Sequence, residues 1–246
     1  SPASKHVSPY YIEHTIQDTS VPNVVTSVLA DYRGYDTMFE TAVILTAGLA
    51  CFFLLRVPES RRPESVFYRH GPTGVTLRIE KGGKLPRETG VYRRIDSHWT
   101  PDDPIIKTTI RFVIPFIQLF ALYVVGHGHH SPGGGFQGGV ILGATFILFA
   151  ISHDLRDAVQ RFGEKLAGLL GGIGLIIYAG TGAIGLFRGS EFLDYSAMGP
   201  LLMVDPVKAR SLGILFVEIG VAIAVMSVLV WIYYNVSSAG RQDEGL

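Results

Sequence analysis

The sequence holds a single cysteine, Cys51, inside an apolar run, so it offers neither a disulfide framework nor a cysteine-based metal site. Charge is scarce as well: charged residues are 17% of the chain, against a usual quarter, and the formal net charge is zero. Such a chain lacks the electrostatic footprint of a nucleic-acid binder. There is no P-loop, no GxGxxG between a strand and a helix, no CxxC and no nucleophile elbow. These absences predict no catalytic centre of its own and no cofactor. Residues Ser1–Ser20 are polar and do not read as a cleavable signal, so membrane insertion is expected to rest on internal segments.

Long apolar blocks are what the sequence has instead. Apolar residues make up 48% of the 246 residues, and they cluster in runs near bilayer length, which a soluble core does not require. Five runs qualify: about Thr37–Arg56, Thr108–Gly126, Phe136–Ser152, Leu166–Arg188 and Ala209–Tyr234. Each is near the roughly 20 residues that span a 30 Å hydrocarbon core. The third is the shortest and richest in glycine, and a re-entrant segment is its alternative reading. The expected fold class is an all-α integral membrane protein of about five transmembrane helices, with a small hairpin-like cytoplasmic loop.

Lysine and arginine set the expected orientation. The stretch between the first two runs holds Arg61, Arg62, Arg69, Arg78, Lys81, Lys84, Arg87, Arg93, Arg94 and Lys107. Arg156, Arg161 and Lys165 follow the third run, and Arg241 lies in the tail; Lys5, Arg33 and Lys208 fall on the other side. This bias predicts an N-terminus outside and a C-terminus in the cytoplasm of a cell's inner (plasma) membrane. Tyr123, Trp231, Tyr233 and Tyr234 near run ends suit an interfacial aromatic belt. Val21, Val24, Val25, Val28 and Leu29 follow helical spacing, so Val21–Ala30 reads as a short amphipathic helix on the outer interface. Ser65–Asp96 alternates and turns at Gly71-Pro72-Thr73-Gly74, which predicts a β-hairpin or small sheet, either a docking surface or a solvated loop.

Three features carry potential chemistry. Glu218 lies mid-way along the fifth run, where a carboxylate must be paired, protonated or in contact with water. It reads as a proton or cation relay, or as a structural hydrogen-bonding group. At the start of the first run stand Asp31, Arg33, Asp36 and Glu40. Asp36 is placed to cap the helix, Arg33 to pair with Asp31 or Asp36, and Glu40 to stand one turn further on the same side as Asp36. Between the second and third runs comes Gly126-His127-Gly128-His129-His130-Ser131-Pro132-Gly133-Gly134-Gly135-Phe136-Gln137-Gly138-Gly139. Gly135, Gly139 and Gly143 recur every four residues, the spacing that lets helix backbones approach, with Gly134 and Gly138 beside them. His127, His129 and His130 suit proton traffic; without an acid or cysteine in the loop they are a weak metal signal, and no metal site is expected. Gly168, Gly171, Gly172 and Gly174 repeat the packing theme, and Gln118 with His153-Asp154 are further polar groups that would extend a path.

The block from Ile114 to Tyr123, followed by His127 to Gly139 and by Ser211-Leu212-Gly213-Ile214-Leu215-Phe216-Val217-Glu218, resembles the MnhB/MrpB family. These are the B subunits of Mrp-type multisubunit Na+/H+ antiporters and the equivalent subunit of membrane-bound hydrogenases. The resemblance covers about Pro104–Tyr234. Upstream, Val21–Val25 and Asp31-Tyr32-Arg33-Gly34-Tyr35-Asp36-Thr37 are similar to the C-terminal part of the large, MrpA-type antiporter protein, a part that stands as a separate MbhE-like subunit in the hydrogenases. In those relatives a further span precedes this motif, and here it is expected to be lost or on another chain.

The resemblance therefore implies two neighbouring subunits fused. The expected organisation is an outer segment 1–36, a first helix 37–56, a cytoplasmic linker 57–103, a four-helix domain 104–236 and a tail 237–246. It also implies a membrane subunit of a cation/proton antiporter, whose partners are other membrane subunits, Na+ or H+ and the bilayer. Glu218, Asp36 and Glu40 become the leading residues for an ion path. A scaffold role and the membrane module of a hydrogenase or other redox-driven pump related to complex I are the alternatives. The Gln137 form of the glycine block leans toward the hydrogenase branch.

Overall fold

A computed structural model describes residues 7–55, 65–80, 83–84, 91–95 and 104–238. Its longest helix is its axis. Helix α9, Pro206–Ser237, opens with Pro206 behind an Asp205 N-cap whose carboxylate accepts from the Lys208 amide at 3.1 Å, and then runs for 32 residues. Around it stand α3 (Gly34–Leu55), α5 (Gly135–Ser152) and α7 (Glu164–Phe187), while α4 (Pro104–Gly126) leans on α5. All five are long and apolar enough to cross a membrane. At 1.5 Å per residue even α5 is about 27 Å long, one unbroken helix and not a re-entrant turn.

Helices of this kind gain little from apolar burial against lipid, so close backbone approach has to hold them. The glycines supply it. A Cβ on Gly174 would stand 2.5 Å from the Gly220 carbonyl oxygen, and one on Gly139 2.7 Å from that of Ala222. Gly143 lies against Met226, so the Gly135/Gly139/Gly143 spacing does face α9. Gly138 instead faces α4, where a Cβ would meet Val125. Gly172 is the exception among the α7 glycines of the packing theme: nothing lies within 4 Å of its added Cβ.

The chain before α3 is more folded than its polarity suggests. Residues Val7–Thr19 form α1, which touches α9. Helix α2 covers only Val24–Ser27 and passes into a π-helical turn, Val28–Tyr32. The expected short helix over Val21–Ala30 thus begins later, at Val24, and its second half is π-helical. Val21, Thr26, Ser27 and Ala30 are buried, whereas Val25 and Leu29 are exposed. The apolar side chains of Val25 and Leu29 thus point away from the bundle, and the polar Thr26 and Ser27 point toward it.

At the opposite end, β1 (Ser65–His70) pairs antiparallel with β2 (Thr76–Glu80) and with β3 (Tyr92–Ile95) in the order β2-β1-β3. Tyr68 faces Leu77 in the hairpin register, which turns through Gly71–Gly74 with Gly74 at φ 67°. Short helices α6 (Leu155–Arg161) and α8 (Gly199–Leu202), with a 3-10 turn at Tyr195–Met198, complete the described chain.

Two expectations about the helix ends change. Trp231 and Tyr234 are buried, with the Trp231 indole N–H donating to Glu164 at 3.3 Å, so they belong to the core and not to an aromatic belt. Tyr123 is exposed as a belt residue would be. The end that carries α1 and α2 also holds Arg188 and Arg210, in addition to Arg33 and Lys208. Lys5, Arg56, Arg61, Arg62, Lys81, Arg87 and Arg241 lie outside the described residues.

Candidate functional site

The glycine block and Glu218, distant in sequence, form one structure. The N-terminus of α5 presents amide groups with no partner inside the helix, and the Glu218 carboxylate accepts from the Gly135 N–H. To reach it, the loop backbone wraps the side chain. An added Cβ would stand 2.8 Å from Glu218 Oε2 at Gly128, 2.8 Å from Oε1 at Gly134, and 2.0 Å from the Glu218 carbonyl oxygen at Gly135. Gly134 also sits at φ 129°, open only to glycine. Glu218 Oε2 is buried and has no hydrogen-bond partner among the described residues.

Asn23 pins this loop. Its side-chain amide donates to the carbonyls of Gly128 and Ser131, both at 2.8 Å, and its backbone N–H to that of His129 at 3.0 Å. Its Oδ1 accepts from the Val25 amide at 3.1 Å, capping α2. Thr26 Oγ1 adds a bond to the Gly128 carbonyl. Asparagine ahead of an apolar run is an N-cap signature, so the cap was there to be read. The reach across about a hundred residues was not.

The π-helical turn and the first turn of α3 close over the same place. Thr37 Oγ1 donates to the Leu29 carbonyl at 2.7 Å, Tyr178 OH to that of Gly34 at 2.8 Å and Tyr195 OH to that of Ala30 at 3.0 Å. Beneath lies a cavity of about 280 Å³ whose lining includes Glu218, Glu40, Thr37, Thr41, Tyr178 and Gln137. It shares Glu40, Ile44 and Phe136 with an open groove of about 560 Å³ that also touches Asp36, Phe39 and Val43. Glu40 is exposed and faces both spaces.

The remaining candidates fall elsewhere. Asp36 lies inside the first turn of α3, not at its N-cap, and pairs with Arg33 through Nε at 2.6 Å. Asp31 pairs instead with Arg210 on α9, Oδ2 to Nε at 3.1 Å, with only 3% of its side chain exposed. Burial pushes its carboxyl up to about 6; Arg210 opposes that rise, and Asp194 and Asp18 add to it. Charge counting along the sequence missed Arg210 because it sits at the start of an apolar run.

His127, His129 and His130 do not line the cavity. His127 stacks on Tyr123, and His129 Nε2 donates to the Ser211 carbonyl at 3.0 Å. Burial holds the His129 imidazole below its usual value, which favours the neutral ring. Gln118 bonds Thr145 at 3.3 Å, and His153 bonds Ser152 at 2.8 Å at the other end of α5; neither reaches the cavity.

Comparison with known proteins covers nearly the whole chain. A family model described as a domain related to the MnhB subunit of Na+/H+ antiporter matches residues 105–231, and the MbhE model, described as the E subunit of MBH, matches residues 1–67. A Staphylococcus epidermidis protein named as antiporter subunit mnhB2 is 32% identical over 131 residues, 51% of this chain and 92% of that protein. A Rhizobium meliloti protein named as the A/B subunit of a K(+)/H(+) antiporter is 27% identical over 241 residues, 94% of this chain but 22% of that one. Among solved structures, a chain of the Mrp complex from Dietzia sp. DQ12-45-1b matches with a TM-score of 0.63 and 25% identity, over 96% of this chain and 23% of that chain. The archaeal membrane-bound sulfane sulfur reductase shares the fold, with a TM-score of 0.62 at 24% identity, over 94% of this chain and 84% of its own. The protein thus belongs to the family of MnhB-related antiporter subunits, with an MbhE-like segment preceding that domain in the same chain, and is a multi-pass membrane subunit related to Mrp-type cation–proton antiporters and hydrogenase-like complexes.

Proposed function

We propose that this chain lines part of the route by which Na+, K+ or H+ crosses the membrane in a multisubunit antiporter, with Glu218 and Glu40 as its working carboxylates. One observation carries the reading: the two acids, one from each matched segment, border a single cavity inside the spanning region. An intramembrane carboxylate is costly unless its charge is used or compensated, and Glu218 Oε2 has no described partner to compensate it. The names of relatives in both antiporter and respiratory complexes support a host complex that couples ion movement to a second gradient or to redox chemistry on other chains. The Lys/Arg distribution supports placing the cavity end outside and the sheet in the cytoplasm of the plasma membrane. Asp36 with Arg33 then stands at the groove's entrance. Asp31 and the histidines hold the surrounding segments in place.

The test is Glu218→Gln in the intact complex, reconstituted in proteoliposomes with a pH-sensitive dye. Assembly on native gels should match the parent, because glutamine still accepts from the Gly135 amide, while exchange falls by at least about tenfold, the scale of one lost charge-assisted contact. Exchange at the parental rate would make Glu218 a structural cap for α5 and the chain a scaffold.

A further inference from the structure

The end of the bundle that carries the sheet gathers cations where α4, α5 and α6 meet. The Gln118–Thr145 hydrogen bond, at 3.3 Å, fixes how the antiparallel α4 and α5 run past each other. Two turns before Gln118, on the same stripe of α4, stands Arg111, and one turn before that Lys107. Two turns after Thr145 come Ser152 and, just past the helix end, His153, so the cations of α4 are level with the end of α5. Arg161, from the end of α6, reaches the same place. Its guanidinium lies 4.5 Å from the centre of the Phe149 ring, on which His153 stacks at 4.3 Å.

Charge is not balanced there. Arg111 and Arg161 have no ion pair among the described residues, and both are exposed. Burial holds the His153 imidazole below its usual value, and Lys107, Arg161 and Arg111 push it the same way, with Asp157 alone opposing. Cations that only complemented the negative end of α5 would bond its last carbonyls. Arg161 lies on a ring instead, and Arg111 makes no hydrogen bond among the described residues. A guanidinium with its N–H groups unspent suits a phosphate, which takes the fork in two parallel bonds. The neighbouring surface suits a hydrocarbon chain: Phe112 and Phe116, exposed and 5.3 Å apart between ring centres, lead from Arg111 toward the middle of the span. Basic pockets between spanning helices at the membrane surface hold anionic head groups. We propose that Arg111 and Arg161, with Lys107 beside them, form a headgroup site for an anionic phospholipid, its phosphate on the guanidinium groups and an acyl chain along Phe112 and Phe116. The site shares no residue with the Glu218 cavity and stands or falls apart from the ion route.

The test titrates the intact complex, purified in detergent, with dioleoylphosphatidylglycerol, dioleoylphosphatidylcholine or sodium phosphate. Melting temperature and native mass spectra read occupancy, since a bound lipid stabilises the folded complex by mass action. Phosphatidylglycerol should raise the melting temperature saturably. Phosphatidylcholine has the same chains and no net charge, and should need about tenfold more for the same rise. Arg111→Gln should raise the half-saturating phosphatidylglycerol concentration about tenfold, the scale of one lost charge-assisted contact. Arg111→Lys, with the charge but not the fork, should fall between. Arg161→Gln makes the same measurement from a second helix, and serves alone if Arg111→Gln does not assemble. Arg78→Gln removes an exposed cation from β2 at the same end, and should leave the half-saturation unmoved.

Four results overturn the proposal. Equal effects of the two lipids would leave only the burial of chains. Equal losses in Arg78→Gln and Arg111→Gln would mean diffuse attraction of a basic end to anionic lipid. The same rise from sodium phosphate at equal concentration would assign a free anion in place of a lipid. No saturable effect of phosphatidylglycerol would mean that a neighbouring subunit, and not lipid, covers this face of α4.

Discussion

The two walls of the cavity hold the same functional group in opposite settings. On the α5–α9 wall, Glu218 is enclosed by backbone at Gly128, Gly134 and Gly135, so neither its position nor its neighbours can shift without moving a helix. On the α3 wall, Glu40 is exposed, and the helix that bears it is among the least buried of the five spans. The first setting fixes a carboxylate, and the second leaves one where a partner, an ion or water can reach it. The difference assigns rigidity to the MnhB-related domain and access to the MbhE-like segment. It also says where substitutions should hurt.

The largest effect should come from the enclosed wall. Gly135→Ala drives a methyl group into the Glu218 carbonyl at 2.0 Å, and backbone on both sides leaves no flexible side chain to yield. Overpacking of this kind costs about 3 kcal/mol or more, so the complex should fail to assemble on native gels. Gly172→Ala, on the same scale of chemical change but with open space around it, should assemble normally. Equal outcomes for the two would mean that α5 can tilt away from α9, and the contrast between the walls would lose its basis.

A smaller loss is expected where the two segments are joined. Arg210→Met leaves Asp31 buried without its cation, a change on the order of 3 kcal/mol when a buried pair is broken on one side. The partial exposure of Arg210 places the effect at or below that figure. Thermal unfolding of the purified complex would measure it, with Arg33→Met as the exposed counterpart, expected to fall below about 1 kcal/mol.

The smallest effect is a pH slope. Asp31 has its folded pKa raised from 3.8 to about 6, chiefly by burial. Between those values the folded chain keeps a proton that the unfolded chain has released, so stability declines as pH rises through the window and is flat above about 6. Asp31→Asn should remove that slope from the melting temperature between about pH 4 and 7. A slope unchanged by the substitution would assign the proton to another group.

Much of this architecture was legible in the residues. Five apolar runs gave five helices with ends shifted by a few positions, because bilayer length constrains a spanning helix whatever its neighbours are. The Gly135/Gly139/Gly143 spacing found its helix, and Gly71–Gly74 its turn. What failed had a common cause. The helix expected over Val21–Ala30 starts only at Val24, because Asn23 caps it there while its amide bonds carbonyls about a hundred residues away. Trp231 and Tyr234 looked interfacial by their place near a helix end, yet Ala150, Leu155, Phe162 and Ala167 from α5, α6 and α7 and the turn between them pack around them there.

The sequence by itself determined the membrane-spanning class, the family and the presence of an acid in the middle of a spanning helix, since hydropathy and motif are local properties. Only the tertiary structure decided what that acid touches. It set Glu218 against the amide at the start of α5, paired Asp31 with Arg210 rather than Arg33, and brought Glu40 to the same cavity from the other segment. Pairing and enclosure depend on which surfaces meet once glycines let backbones close to contact, and no local pattern encodes the far side of a contact.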